Sequence, residues 1–212
     1  MILREFLDKD YKIHDRQHLD EYLVKLCKLV LRRQHRDPEQ FGIVGACVLD
    51  PDHRITVGTS TNKNGKWKHA EHCAMDAYNE QYGEIPKGSI IITTLSPCNN
   101  TMGDRLGPSC TDIINASPVR KVYCGYMDPS QHDPHAEFTL EDTQNDNINR
   151  LCKKMAWTFL GTKNHPLEDA SGVIASKSQA KDPRYSMSLT KDVRPGQIEK
   201  NLKAFDLAEN NK

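Results

Sequence analysis

The sequence has no net charge, since 29 Lys and Arg balance 29 Asp and Glu. A protein that grips nucleic acid by bulk charge carries a basic excess, so that class is disfavoured. Aromatic residues are sparse at 7%, which also speaks against a base-stacking platform. No apolar run approaches the roughly 18–20 residues that span a bilayer, so no membrane association is expected. The first apolar patch, MILREFLDKD, is interrupted by acids and does not read as a signal peptide. The seven cysteines are an odd number. Without export, a disulfide framework is not expected, and metal or catalytic use is the better prior. A reducing, cytoplasmic setting follows as the expectation. Hydrophobic residues are few, 37% with a mean hydropathy of −0.70, which suggests a solvated segment diluting an ordinary core. Internal repeats and low-complexity runs are absent. A chain of 212 residues accommodates one full domain rather than two.

Hydrophobic spacing supplies the elements. Leu19, Tyr22, Leu23, Leu26, Leu29 and Val30 recur at three and four residues, which predicts an amphipathic helix over 17–33. FGIVGACVLD, PDHR and ITVGTS read as strand, turn and strand. TNKNGKWK reads as a polar loop. HAEHCAMDAYNEQYG predicts a helix ending at Gly83. SIIITTLS (89–96) predicts a buried strand. SCTDIINAS predicts a short helix with Ser109 as N-cap and Asp112 three residues on. KVYCGYMD (121–128) is a further strand, NINRLCKKMA a helix, and WTFLG a last strand. The order α-β-β-α-β-α-β-α-β predicts a three-layer α/β/α sandwich around a mixed five-stranded sheet. Character changes near residue 163. The expectation is one domain over 1–162 and a polar tail over 163–212, with a short helix in IEKNLKAFDLAENNK.

Chemistry concentrates in two stretches. GKWKHAEHCAM (65–75) places His69, Glu71, His72 and Cys73 within five residues. H-x-E alone recurs by chance, and a histidine at a helix start is commonly structural. The second stretch, TLSPCNNTMGDRLGPSC, adds Cys98 and Cys110 with eleven residues between them. One His and two Cys can supply three zinc ligands and leave a fourth corner open, which is the catalytic rather than the structural pattern. Helix starts at His69 and Cys110 favour thiolate and bound hydroxide. Glu71, two residues past His69, is placed to move protons without ligating.

H-x-E followed by P-C and a second Cys is the signature of zinc nucleobase deaminases. Over roughly residues 17–160 the sequence resembles the cytidine-deaminase-like superfamily. Within it, the chain is most similar to the pyrimidine deaminase of riboflavin biosynthesis, through IVGACVLD, HAE, TLSPC, GDRLGPSC and YCGYMDP. It departs from the bacterial members in its longer gap between Cys98 and Cys110, and in Ser96, where they typically carry an acid. No reductase-like segment follows in these 212 residues. A stand-alone deaminase is what an unfused or fungal-type pathway needs.

The resemblance implies a hydrolase acting on a cyclic amidine C–N bond. His69, Cys98 and Cys110 hold Zn2+ with a water in the open position. Glu71 takes a proton from that water and delivers it to the ring nitrogen; it then protonates the amino group, and ammonia leaves. The implied substrate is the diaminopyrimidinone ribosyl- or ribitylamino phosphate of the flavin pathway, a small aminopyrimidine nucleotide. The implied assembly is a homodimer. Asn62 or Asn64 could hydrogen-bond the ring edge, Arg105 could hold a phosphate, Trp67 could stack, and His135 could line the pocket. The plain alternatives are a turn at Asn64-Gly65, a solvated Arg105, a helix clamp by Trp67 and a polar turn at His135. His72 reads as packed or supporting rather than as a fourth ligand. Cys73 is expected to face the core. Cys27, Cys47, Cys124 and Cys152 are expected to be small buried thiols. Two other functions stay open: a cytidine, dCMP or other nucleobase deaminase, and a non-catalytic zinc-binding subunit.

Overall fold

A computed structural model describes residues 16–63, 65–99, 108–131 and 133–160. The 163–212 tail, Asn64 and Arg105 lie outside the described residues. Helix α1 spans Arg16–Arg36. Strands β1 (Phe41–Leu49) and β2 (Ile55–Lys63) follow, then a short β3 (Lys66–Lys68). Next come α2 (Ala70–Tyr82), β4 (Ile90–Thr93), α3 (Cys110–Asn115) and β5 (Lys121–Cys124). Strand β6 (Thr139–Asp142) and α4 (Asp146–Leu160) complete the order.

The sheet is mixed, in the order β3-β2-β1-β4-β5-β6. Neighbouring pairs from β3 to β4 are antiparallel, whereas β4–β5 and β5–β6 are parallel. Each face of the sheet has its own core. On one face Leu19, Leu23, Leu26, Cys27 and Val30 of α1 meet Ile148, Cys152 and Met155 of α4 over Cys47, Ile90, Ile92 and Tyr123. On the other, Ala70, Ala74 and Tyr78 of α2 and Ile114 of α3 cover Ala46, Val48, Ile91 and Val122. Odd and even strand positions thus serve different layers, which makes the three-layer sandwich. Cys27, Cys47, Cys124 and Cys152 are buried, as expected.

Six strands form where five were expected. The supposed loop before His69 is a hairpin: β2 runs on to Lys63 and turns through Gly65, whose φ of 78° suits glycine. Thr139–Asp142 pairs with β5 although it is polar; half-buried, with Glu141 and Asp142 in it, it has the charged character of an edge strand. WTFLG is not a strand over its described part, because α4 continues through Leu160. The helical spacing of Ile148, Cys152 and Met155 leads into it with no breaker between.

Close approach of α2 to β2 positions the site. A Cβ at Gly58 would lie 2.3 Å from the Ala70 carbonyl and 2.4 Å from the Ala74 nitrogen, so only glycine admits the helix there. Thr56 Oγ1 donates to the Ala74 carbonyl at 2.8 Å. The far end of β1 is fixed by Asp50, which is fully buried. Asp50 accepts from the Tyr78 hydroxyl, from Arg54 Nε at 2.6 Å, and from the backbone N–H groups of Asp52 and Arg54 at 2.9 and 2.8 Å. Burial pushes the Asp50 carboxyl up, but hydrogen bonds from Tyr78 and Arg54 outweigh it and hold the group below the ordinary range. A depressed folded pKa adds stability above the unfolded value of about 3.9 and loses it as pH falls through the folded value. Asp50→Asn is therefore expected to lower Tm at neutral pH, with the gap to wild type closing in acid. A gap that widened as pH fell would contradict this.

Candidate metal centre and active site

Three elements deliver the cluster. His69 is the N-cap of α2, with extended φ and ψ of −70° and 155°, and its side chain makes no cap hydrogen bond. Its ring faces the two cysteines instead. Cys98 follows β4, in a segment tied on both sides. Ser96 N–H donates to the Tyr126 carbonyl and Ser96 Oγ accepts from Asp128 N–H, each at 2.9 Å. Asn99 N–H donates to Gln131 Oε1 at 3.1 Å. Cys110 opens α3 behind Ser109, which forms the reciprocal capping box with Asp112 read from the sequence.

These ties bring His69 Nδ1 to 3.2 Å from Cys110 Sγ and 3.4 Å from Cys98 Sγ. All three ligand atoms lie within 4.8 Å of one another. A tetrahedral centre with Zn–N of about 2.0 Å and Zn–S of about 2.3 Å spaces such atoms by about 3.6 Å. One imidazole with two thiols is also a donor set that zinc favours. The residues present fit zinc.

Glu71 stands beside the cluster. It is 3% exposed, with Oε2 3.4 Å from Cys110 Sγ and Oε1 3.3 Å from Thr93 Oγ1. Burial raises its pKa, and the neighbouring His69 acts in the opposite direction. Cys98 is drawn down to about 4, first by a hydrogen bond from Cys110, against burial, and then by His69. Cys110 is pushed up by the Cys98 sulfur, by burial and by Glu71. The backbone N–H of Cys110 also points to Cys98 Sγ at 3.4 Å. Within the cluster the two sulfurs are thus pushed in opposite directions, Cys98 down and Cys110 up.

The remaining candidates scatter. Asn62 and Trp67 are cross-strand partners in the β2–β3 hairpin. Asn62 Oδ1 and Trp67 Nε1 are buried and have no hydrogen-bond partner among the described residues. His135 is exposed and pinned to Asn115, at the end of α3 opposite Cys110. His72 is half-buried, its ring centroid 5.8 Å from that of His69 and outside the three-ligand cluster. Cys73 is only half-buried, with Sγ 3.6 Å from Thr61 Oγ1, so it does not face the core as expected. The helix turns it onto β2, against Thr61. Thr93 and Gln131 carried no motif signal in the sequence. Thr93's single clue is a hydroxyl closing a run of three isoleucines.

The family model of the cytidine and deoxycytidylate deaminase zinc-binding region matches residues 17–126. The chain belongs to this family. It therefore carries a zinc-dependent deaminase domain, and the cluster of His69, Cys98 and Cys110 lies within the matched span. Among solved structures, the domain is similar to a diaminohydroxyphosphoribosylaminopyrimidine deaminase/5-amino-6-(5-phosphoribosylamino)uracil reductase from Thermotoga maritima. The identity is 23%, over 68% of this chain and 41% of that one, with a TM-score of 0.51. Acinetobacter baumannii RibD matches at 21% identity over 67% of this chain and 39% of its own, with a TM-score of 0.48. A dCMP deaminase from the cyanophage S-TIM5 matches at 21% over 58% and 96%, with a TM-score of 0.43. The chain spans about two fifths of the length of the Thermotoga and Acinetobacter proteins. No curated protein matches it. Among the described residues, no helix is long and apolar enough to cross a membrane.

Proposed function

We propose that this chain is a hydrolytic deaminase of an aminopyrimidine. The preferred substrate is the diaminopyrimidinone ribosyl- or ribitylamino phosphate intermediate of riboflavin biosynthesis. The observation that carries the chemistry is a buried carboxyl, Glu71, 3.4 Å from one sulfur of a His-Cys-Cys zinc set. His69, Cys98 and Cys110 are the ligands in this reading. Zinc, when bound, supplies Lewis acidity that brings the pKa of a coordinated water toward about 7. Glu71 would accept a proton from the attacking water at one carboxyl oxygen and hand it to the ring nitrogen; it would then take the second proton from the hydroxyl added to the ring carbon and deliver it to the amino group, which leaves as ammonia. Burial raises the pKa of Glu71, the direction that suits a group required both to take and to give a proton. The tied segment around Cys98 and the capped α3 hold both sulfurs in the cluster where, with His69, they would bind zinc, and Glu71 lies against Cys110.

The flavin-pathway substrate is supported by the HAE, TLSPC, GDRLGPSC and DP pattern, and by the activity for which the Thermotoga protein of like fold is named. The unpartnered Asn62 Oδ1 and Trp67 Nε1 offer an acceptor and a donor for the ring edge. The domain limits of 1–162, the separate tail, a homodimer and the phosphate contact by Arg105 belong to the same proposal. A cytidine- or dCMP-type substrate is the second reading, favoured by the scope of the matching family model. Ammonia release from the two flavin intermediates, cytidine, dCMP, cytosine, adenosine and guanine tests both. The expected result is turnover of a flavin intermediate. Turnover of cytidine or dCMP instead would keep the chemistry and overturn the pathway. Silence across the panel with zinc bound would favour the non-catalytic subunit.

A further inference from the structure

We propose that Thr93 is the positioning residue of Glu71, fixing which carboxyl oxygen faces the zinc cluster; this rests on the deaminase reading above. Thr93 ends β4 after three isoleucines and is fully buried. A hydroxyl buried there is unfavourable unless it is hydrogen-bonded. The Leu95 carbonyl, 2.9 Å from Thr93 Oγ1, satisfies it locally. That bond alone does not require the same oxygen to stand 3.3 Å from Glu71 Oε1.

The carboxyl has no orientation of its own. The last torsion of a glutamate is broad and roughly two-fold, so rotamer preference does not decide which oxygen points where. Here the two oxygens have different neighbours. Oε2 faces Cys110 Sγ and Oε1 faces Thr93. Holding Oε1 leaves Oε2 on the zinc side. A hydroxyl has one hydrogen to donate, and Oε1 is an acceptor whichever state Glu71 is in. With Glu71 as a carboxylate, Thr93 donates to Oε1. With the proton on Oε2, Oε1 remains a carbonyl oxygen and still accepts from Thr93. The contact survives both states without movement of the backbone.

The test compares zinc-loaded Thr93→Val and Thr93→Ser with wild type, and Thr93→Ala as a second hydroxyl-free protein. Valine keeps the branched shape that suits a strand and removes only the hydroxyl. The expected result is a kcat lower by on the order of 10- to 100-fold in the valine protein, the effect of a lost hydrogen bond to a charged group. KM and zinc per chain should stay at the wild-type values, and serine should restore most of kcat. Infrared absorption of the Glu71 carboxyl, assigned by its loss in Glu71→Gln, should shift in the valine and alanine proteins but not in the serine one. That band needs no substrate. If wild type deaminates nothing in the panel, the deaminase reading fails, while the band still decides the Thr93 contact. An unmoved band, a valine kcat within about twofold of wild type, or a serine protein as slow as the valine one would overturn the proposal.

Discussion

Glu71→Gln is expected to lower ammonia release by at least about 10²–10⁴-fold, the range for a lost general acid–base. Glutamine matches glutamate in shape. It can keep the approach to Thr93 Oγ1 and Cys110 Sγ, but it has no proton to carry between water and ring. The loss should therefore fall on kcat, with KM and bound zinc little changed. Stability should move the other way. Glu71 is 3% exposed and burial penalises its charged form, so a neutral amide is expected to hold or raise Tm. A less active but equally or more stable protein marks a group kept for chemistry. Steady-state rates, zinc content and Tm on the same preparation decide it. Activity within tenfold of wild type would remove Glu71 from the proton path. Loss of zinc would make it a ligand instead.

Removing a sulfur should act through the metal. In Cys98→Ser, the zinc set loses the sulfur that accepts the Cys110 N–H and faces His69 Nδ1. Serine offers a hard, weakly acidic oxygen in place of a thiolate, which zinc prefers. Losing even an outer-shell partner of a metal ligand costs about 10–100-fold in affinity or activity, so losing a ligand is expected to cost at least that. Zinc should be absent after gel filtration, and ammonia release should fall with it. Metal that binds only the folded chain adds to its stability. A chelator should therefore lower the wild-type Tm and leave that of Cys98→Ser unmoved. Thiol ligands must lose their protons to bind, so zinc retained by wild type should also fall as pH is lowered. Full zinc in Cys98→Ser after chelation, or a wild-type Tm indifferent to chelator, would show that the metal is held elsewhere.

Much of the frame was legible beforehand because its causes are local. The spacing of Leu19, Leu23, Leu26 and Val30 produces α1 and also places those residues in one core. Ser109 and Asp112 form the capping box their spacing promised. Gly83 ends α2 with a positive φ. The structure departs from the sequence pattern where pairing decides. Thr139–Asp142 has no apolar alternation and becomes a strand only because β5 offers it a parallel partner. The residues before His69 look like a loop until Thr61 finds Lys68 and Asn62 finds Trp67 across a turn. Trp157 to Leu160 carry strand-like residues, yet the helix started at Asp146 runs through them.

The candidate site divides the same way. His69, Glu71, Cys98 and Cys110 could be named from their chemistry and spacing, because zinc needs those donor types and a proton carrier needs a carboxyl. Their meeting was decided only by the fold. Cys98 and Cys110 stand 29 and 41 positions from His69, and distances in sequence do not fix distances in space. The mixed sheet sets the end of β4 beside the starts of α2 and α3, and Gly58 lets α2 lie close enough to bring Glu71 to Thr93. Thr93, Ser96 and Gln131 gain their roles from neighbours far along the chain. Residue type determined what chemistry this protein could hold; packing against the sheet determined which atoms share one space.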